Sequence, residues 1–215
     1  MKKIILILFL FLLCISCYLI YNKTKKDNIY ITALGDNIAA YKYINTPKVI
    51  YNKSFINSDL KINDLLNMLK YNYENDITPT IHQTLKKSNI IIISIGMNDI
   101  YYKLNADTKE IYTYLNNMLN TYEEILKEIN KYNYIEVFVL GYYNITAENN
   151  DLFNYINYKL EKLTKTYNYT YLDLNKIIHN HPEYLRKTNN YHLNEEGFNQ
   201  ISTLIVENLK KYDII

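Results

Sequence analysis

The run Ile90-Ile-Ile-Ile-Ser-Ile95, framed by Asn89 and by Gly96-Met-Asn-Asp99, constrains this chain more than any other stretch. An unbroken β-branched run without polar alternation fits a parallel strand covered on both faces, although its periodicity alone leaves a buried helix open. Gly96 ends the run, and Asn98 and Asp99 follow at once. In an open α/β sheet ligands bind beyond the carboxyl ends of the strands, so these two polar residues stand where binding or chemistry is expected. A plainer reading has them capping a helix at a strand-end turn.

The rest of the chain can be arranged around that strand. Further strands are expected over 29–34, 49–55, 134–140 and 169–172, and helices over 64–69, 79–86, 108–132, 152–166 and 195–212, with a short helical stretch from Ile38. The 108–132 segment carries Ile111, Leu115, Met118, Leu119, Tyr122, Ile125, Leu126 and Ile129 as one apolar stripe, which is core packing, and sets Glu123 four residues before Lys127. Strands alternating with helices imply βαβ units, hence a parallel five-stranded sheet in a three-layer α/β/α domain. The chain has only four glycines, so their placement carries information. Gly35, Gly96 and Gly141 each end an expected strand, and Gly197 opens the last helix beside His192. Tight loops on one edge of the sheet follow, and that edge is the expected site.

Two segments are expected: residues 1–27 as a membrane anchor with a short linker, and 28–215 as one α/β domain. Met1-Lys2-Lys3 precedes an uncharged run from Ile4 to Tyr21, and Lys23, Lys25 and Lys26 follow. That run is about the minimum length for a transmembrane helix. The reading adopted is an uncleaved signal anchor through residues 4–21, single-pass in the cell membrane, with the domain extracytoplasmic. A cleaved signal, or lipid attachment at Cys17, stays open. Both cysteines, Cys14 and Cys17, fall in this run, so the domain has no Cys-based metal site. With a net charge of +2 and no dense basic block, nothing points to nucleic acid. His179 and His181 lie near His192 in sequence, but no carboxylate stands at ligand spacing beside them, so neither metal nor cofactor is expected. The 25 tyrosines are consistent with an AT-rich coding sequence and yield no function by themselves.

Three stretches, Ile31-Thr-Ala-Leu-Gly-Asp-Asn-Ile-Ala-Ala40, Ser94-Ile-Gly-Met-Asn-Asp99 and Tyr191-His-Leu-Asn-Glu-Glu-Gly-Phe198, resemble the SGNH/GDSL hydrolase family in order, spacing and strand context across residues 29 to 212. The resemblance implies a flavodoxin-like sheet of five parallel strands. It also implies roles: Asn98 as a side-chain oxyanion donor, His192 as the base, and Gly35, Asp36, Gly96 and Asp99 as the frame of the pocket. Asn144, in the Gly141-Tyr-Tyr-Asn144 exit, resembles the family's fourth-strand loop, whose tyrosines either line the pocket or pack at its rim.

The departures from the family pattern agree with one another. Asn37 stands in the place of the nucleophilic serine, and a carboxamide has no proton whose removal makes an attacking alkoxide. The acid that orients the histidine is replaced by an amide, Asn190 or Asn189, which can bond the ring but cannot offset imidazolium charge. Asp59 aligns near the corner where the family has a backbone oxyanion donor, and its charge would oppose an oxyanion. Ser54 and Ser58 are the nearby hydroxyls that could substitute for the nucleophile. The expectation is therefore a degenerate site that binds a small-molecule, lipid or glycan ester, or a partner, with little or no hydrolysis. An active acylhydrolase on lipid or cell-envelope esters is the alternative, and a purely structural envelope protein a third.

Overall fold

The computed structural model describes residues 16, 28–36, 44, 49–71, 79–134, 136–144, 149–179, 181–186, 189–212 and 214. The anchor read over 4–21, except Ser16, lies outside the described residues, as do the nucleophile position Asn37 and the helical stretch from Ile38. Among the described residues no helix is long and apolar enough to cross a membrane.

The sheet is built from β1 (Ile29–Gly35), β2 (Val49–Tyr51), β3 (Phe55–Ile56), β4 (Ile90–Ser94), β5 (Glu136–Leu140) and β6 (Thr170–Leu172). Its order is β2-β1-β4-β5-β6, with β3 also on β1, and every pair is parallel. β2 and β3 are two halves of one edge strand. The expected continuous strand over 49–55 is thus interrupted at 52–54, where Asn52 still donates its N–H to the Ile31 carbonyl. The isoleucine run is the central strand: Ile90 to Ile93 are each 2% exposed or less, as a strand with helices on both faces requires.

Around the sheet lie α1 (Ile62–Tyr71), α2 (Ile81–Lys87), α3 (Met97–Lys103), α4 (Thr108–Ile129), α5 (Asn150–Thr166), α6 (Asn175–Ile178) and α7 (Glu195–Lys211). α4 buries the expected stripe, with only Leu119 left partly exposed, and Glu123 meets Lys127 at 3.1 Å. Asp107 caps the start of α4 by accepting from Glu110, and Thr80 and Gln83 form a reciprocal capping box on α2. Two features exceed the sequence reading. α3 begins directly after Gly96, and β7 (Leu185–Arg186) pairs antiparallel with β8 (Asn189–Leu193) just before α7.

The strand order doubles back between β1 and β4, so the crevice beyond the ends of these two strands is the topological switch point. Gly35 makes the close approach there possible. Its φ is +125°, and a Cβ would lie 1.7 Å from the Ser94 carbonyl oxygen. That oxygen already accepts the Asp36 N–H at 2.7 Å and belongs to the central strand, so it has nowhere to yield. Gly35→Ala is expected to destabilise the fold by at least ~3 kcal/mol, read as a fall in the chemical-denaturation midpoint, because a backbone clash adds to a left-handed conformation. Ala33→Gly, two residues earlier in the same strand, should cost only about 1 kcal/mol.

Candidate functional site

At the switch point Asp36 is buried, 4% exposed, and ties three elements together. Its Oδ1 accepts from the Ser94 hydroxyl at 3.2 Å and its Oδ2 from the Met97 N–H at 3.1 Å, the latter in the first turn of α3. A carboxylate facing a helix N-terminus is also favoured by the helix dipole. Gly96 has φ +104°, and a Cβ there would come within 2.7 Å of the Tyr142 hydroxyl, which donates to the Ile95 carbonyl at 2.9 Å. Tyr142 and Tyr143 are thus buried packing behind the crevice rather than walls of it. Burial pushes both phenols well up, so they stay protonated.

Asn98 and Asp99 lie in the first turn of α3, and both face the segment that connects β3 to α1. Asp99, 4% exposed, accepts from the Ile62 N–H at 3.0 Å and from the Tyr114 hydroxyl at 3.1 Å. It therefore anchors the start of α1 from a neighbouring helix instead of capping its own. Burial raises its pKa, against the lowering effect of these two donors. The Asn98 carboxamide nitrogen donates to the Ser58 carbonyl at 2.6 Å and to the Leu60 carbonyl at 3.2 Å. An amide nitrogen has two hydrogens, and both are committed to this loop.

Asp59 sits between those two tethered carbonyls, exposed, with its N–H on the Asn57 side-chain oxygen at 3.0 Å. Its carboxylate acts on His192, which stands on β8 in the other half of the chain. Burial holds the imidazole below the ordinary histidine range, and the Arg186 guanidinium lowers it further while Asp59 pulls the other way. Arg186 is fixed on β7 by an Nε–H bond of 3.0 Å to the Leu193 carbonyl. Asn98, Asp59 and His192 thus come together at one end of the sheet, and Arg186 joins them. Asn190 lies on β8 two residues before His192.

The substitute hydroxyls differ from each other. Ser54 Oγ is buried with no hydrogen-bond partner, so no base is in place to activate it, and Ser58 is exposed with its carbonyl held by Asn98. The remaining histidines each have separate partners: His179 reaches the Asn144 carbonyl at 3.3 Å, His181 pairs with Glu183 at 2.7 Å, and His82 bonds the Tyr132 hydroxyl. Among the described residues no group of three or more His, Cys, Asp or Glu side chains could hold a metal ion. Sequence reasoning missed Arg186 and Ser94. Arg186 is brought to His192 by a hairpin with no turn signature, whereas the small polar end of the isoleucine run was a signal that could have marked Ser94.

Structural comparison bears on this arrangement. An acetyl xylan esterase, AlAXEase, superposes with a TM-score of 0.62 at 18% identity, over 84% of this chain and 100% of its own. Axe2, an acetylxylan esterase from Geobacillus stearothermophilus, gives 0.62 at 16% identity over 85% of this chain and 95% of its own. The chain shares the fold of these two esterases. A gut microbial diltiazem-metabolizing enzyme matches with a TM-score of 0.65 at 14% identity, and there this chain spans just under half of the larger protein, 46%. No protein-family model and no curated protein sequence matches the chain.

The charge environment of His192 generates a measurable consequence. A histidine with a depressed pKa is neutral in the fold, so its contribution to stability is complete above about pH 6.5 and is lost as pH falls toward the folded value. In an NMR titration the His192 ring is expected to have a midpoint below about 6.5. Asp59→Asn should move it lower still and Arg186→Met should move it up. Unchanged midpoints in both variants would show that neither charge acts on the ring.

Proposed function

We propose that this chain is a membrane-anchored, esterase-like protein whose site binds a ligand with little or no ester hydrolysis. The observation that carries the reading is Asn98, whose two amide hydrogens lie on the Ser58 and Leu60 carbonyls and leave none for an oxyanion. The charge of Asp59 beside that loop disfavours a second developing anion. The amides Asn37 and Asn190, at the positions that the family resemblance gives to the nucleophile and the acid, support the same conclusion. Two catalytic mutants of Axe2 exchange a serine and an aspartate for alanine, the residue types that Asn37 and Asn190 would replace here. The ligand is an ester-bearing small molecule, lipid or glycan, and the anchor at 4–21 holds the domain at the outer face of the cell membrane.

One observation favours a second reading, an active acylhydrolase with altered catalytic residues. Burial keeps His192 neutral, as a general base requires near pH 7. Turnover separates the two. The full chain, its His192→Ala variant and an Asn37→Ser plus Asn190→Asp variant are compared on 4-nitrophenyl acetate and on acetylated xylo-oligosaccharides. The natural chain is expected to hydrolyse neither substrate more than about twofold faster than His192→Ala, because a triad lacking its nucleophile forfeits on the order of 10⁴ or more in rate. Acetylated oligosaccharide should still raise its melting temperature in a saturable way. A natural chain that turns over and loses that activity with His192→Ala would establish the second reading instead.

A further inference from the structure

A cavity of about 270 Å³ opens at the opposite end of the sheet, where β5 and β6 begin. It has no residue in common with the switch-point crevice. Four tyrosines line it, Tyr132, Tyr134, Tyr167 and Tyr169, together with Glu136 and Asn130. Tyr132 and Tyr134 have ring centroids 6.1 Å apart and tilted, and Tyr167 and Tyr169 stack at 5.8 Å. Asn168, at the rim, takes a left-handed φ of 57°, and this ends α5 abruptly and turns the chain back into β6.

Three observations set the sign of the charge this cavity accepts. Glu136 is only partly exposed, and among the described residues no cation pairs with it; its partners are the Val137 N–H at 2.9 Å and Thr170. Burial is accordingly the largest influence on its pKa and raises it. Among the described residues no lysine lines the cavity, and those close to its lining residues in sequence have carboxylates of their own: Lys127 with Glu123 and Glu124, Lys131 with Glu128, and Lys165 with Glu161. Finally, α4 ends at Asn130 and α5 at Tyr167, so two helix C-termini, the negative ends of their dipoles, converge on the cavity.

We propose that this cavity binds a small organic cation, an alkylammonium or quaternary ammonium group. Tyrosine rings attract such a group through their quadrupoles, and the hydroxyl and amide oxygens around them accept from an alkylammonium. Glu136 supplies the counter-charge that no lysine or arginine provides. A metal ion is a poorer occupant, because one carboxylate and a few amides fall short of the six or more oxygens that a hard divalent cation takes. An anion would face a carboxylate and two negative helix ends. The same chemistry serves a free amine or the choline head of a lipid, and the arms of the experiment separate them.

The full chain is titrated with tetramethylammonium and with choline by NMR, with sodium and glucose as controls, and separately mixed with phosphatidylcholine vesicles and with phosphatidylglycerol vesicles. Saturable binding of both ammonium ions in the millimolar range is expected, with no response to sodium or glucose. Glu136→Gln, which keeps the shape of the side chain, should weaken binding at least tenfold while its melting temperature stays within a few degrees. Tyr169→Leu should weaken binding as well, whereas His192→Ala, at the far end of the sheet, should leave it unchanged. Phosphatidylcholine vesicles competing with tetramethylammonium would assign the cation to a lipid head; failure to compete would assign it to a free amine. The proposal is overturned if no saturable binding occurs, if glucose binds as well as choline, or if Glu136→Gln binds as the natural chain does.

Discussion

The Asp36 carboxylate joins the ends of the two strands that flank the switch point. Ser94 and the Met97 N–H converge on it, one from the end of β4 and one from the start of α3, at 3.2 and 3.1 Å. Such a group is costly to bury unless its oxygens are satisfied. Here a hydroxyl and a helix N-terminus satisfy them, and the requirement for both partners fixes where α3 starts. Once α3 is fixed, Asn98 and Asp99 project toward the β3–α1 connection. Asp99 then anchors α1 at Ile62, and Asn98 holds Ser58 and Leu60. The crevice therefore descends from one buried carboxylate through a chain of hydrogen bonds, and Gly35 permits it by letting β1 pass against Ser94.

This dependency underlies the proposal that a site with an esterase's outline binds rather than hydrolyses. An oxyanion hole needs donors aimed at empty space. The two amide hydrogens of Asn98 are aimed at carbonyls, where they stiffen the loop that carries Asp59. Stiffness has replaced availability. His192 is neutral through burial and set between the opposed influences of Arg186 and Asp59, and the buried Ser54 hydroxyl is bonded to nothing, that imidazole included. On the proposed reading, a rigid crevice with a neutral imidazole and an exposed carboxylate recognises a polar ligand rather than forming an acyl intermediate.

Much of the frame was legible in the residues. The isoleucine run favoured a strand covered on both sides over a buried helix, and three of the four glycines marked strand ends because so few others were available. The stripe along α4 follows from a 3.6-residue period that tertiary structure did not override. Less legible were features decided by long-range partners. The break between β2 and β3 has no local signature, since both halves are held by bonds to the distant β1, and the β7–β8 hairpin, though local, joins its strands without a Gly, Pro or Asn-Gly turn signal. The spending of Asn98 on Ser58 and Leu60 is likewise invisible, because an asparagine after a strand-end glycine reads the same whether its amide faces a ligand or a loop. The tyrosines at the far end of the sheet looked compositional, and only the fold gathers four of them around Glu136.

The central claim is that no side chain in the crevice can form an acyl-type covalent bond. Intact-mass spectrometry after incubation with an alkyl fluorophosphonate tests it directly, because the reagent phosphonylates an activated serine without needing the natural substrate. The account predicts an unchanged mass for the natural chain under conditions that label an active SGNH-type esterase to completion. A stoichiometric adduct that disappears with His192→Ala would contradict it and would place a working nucleophile beside that histidine.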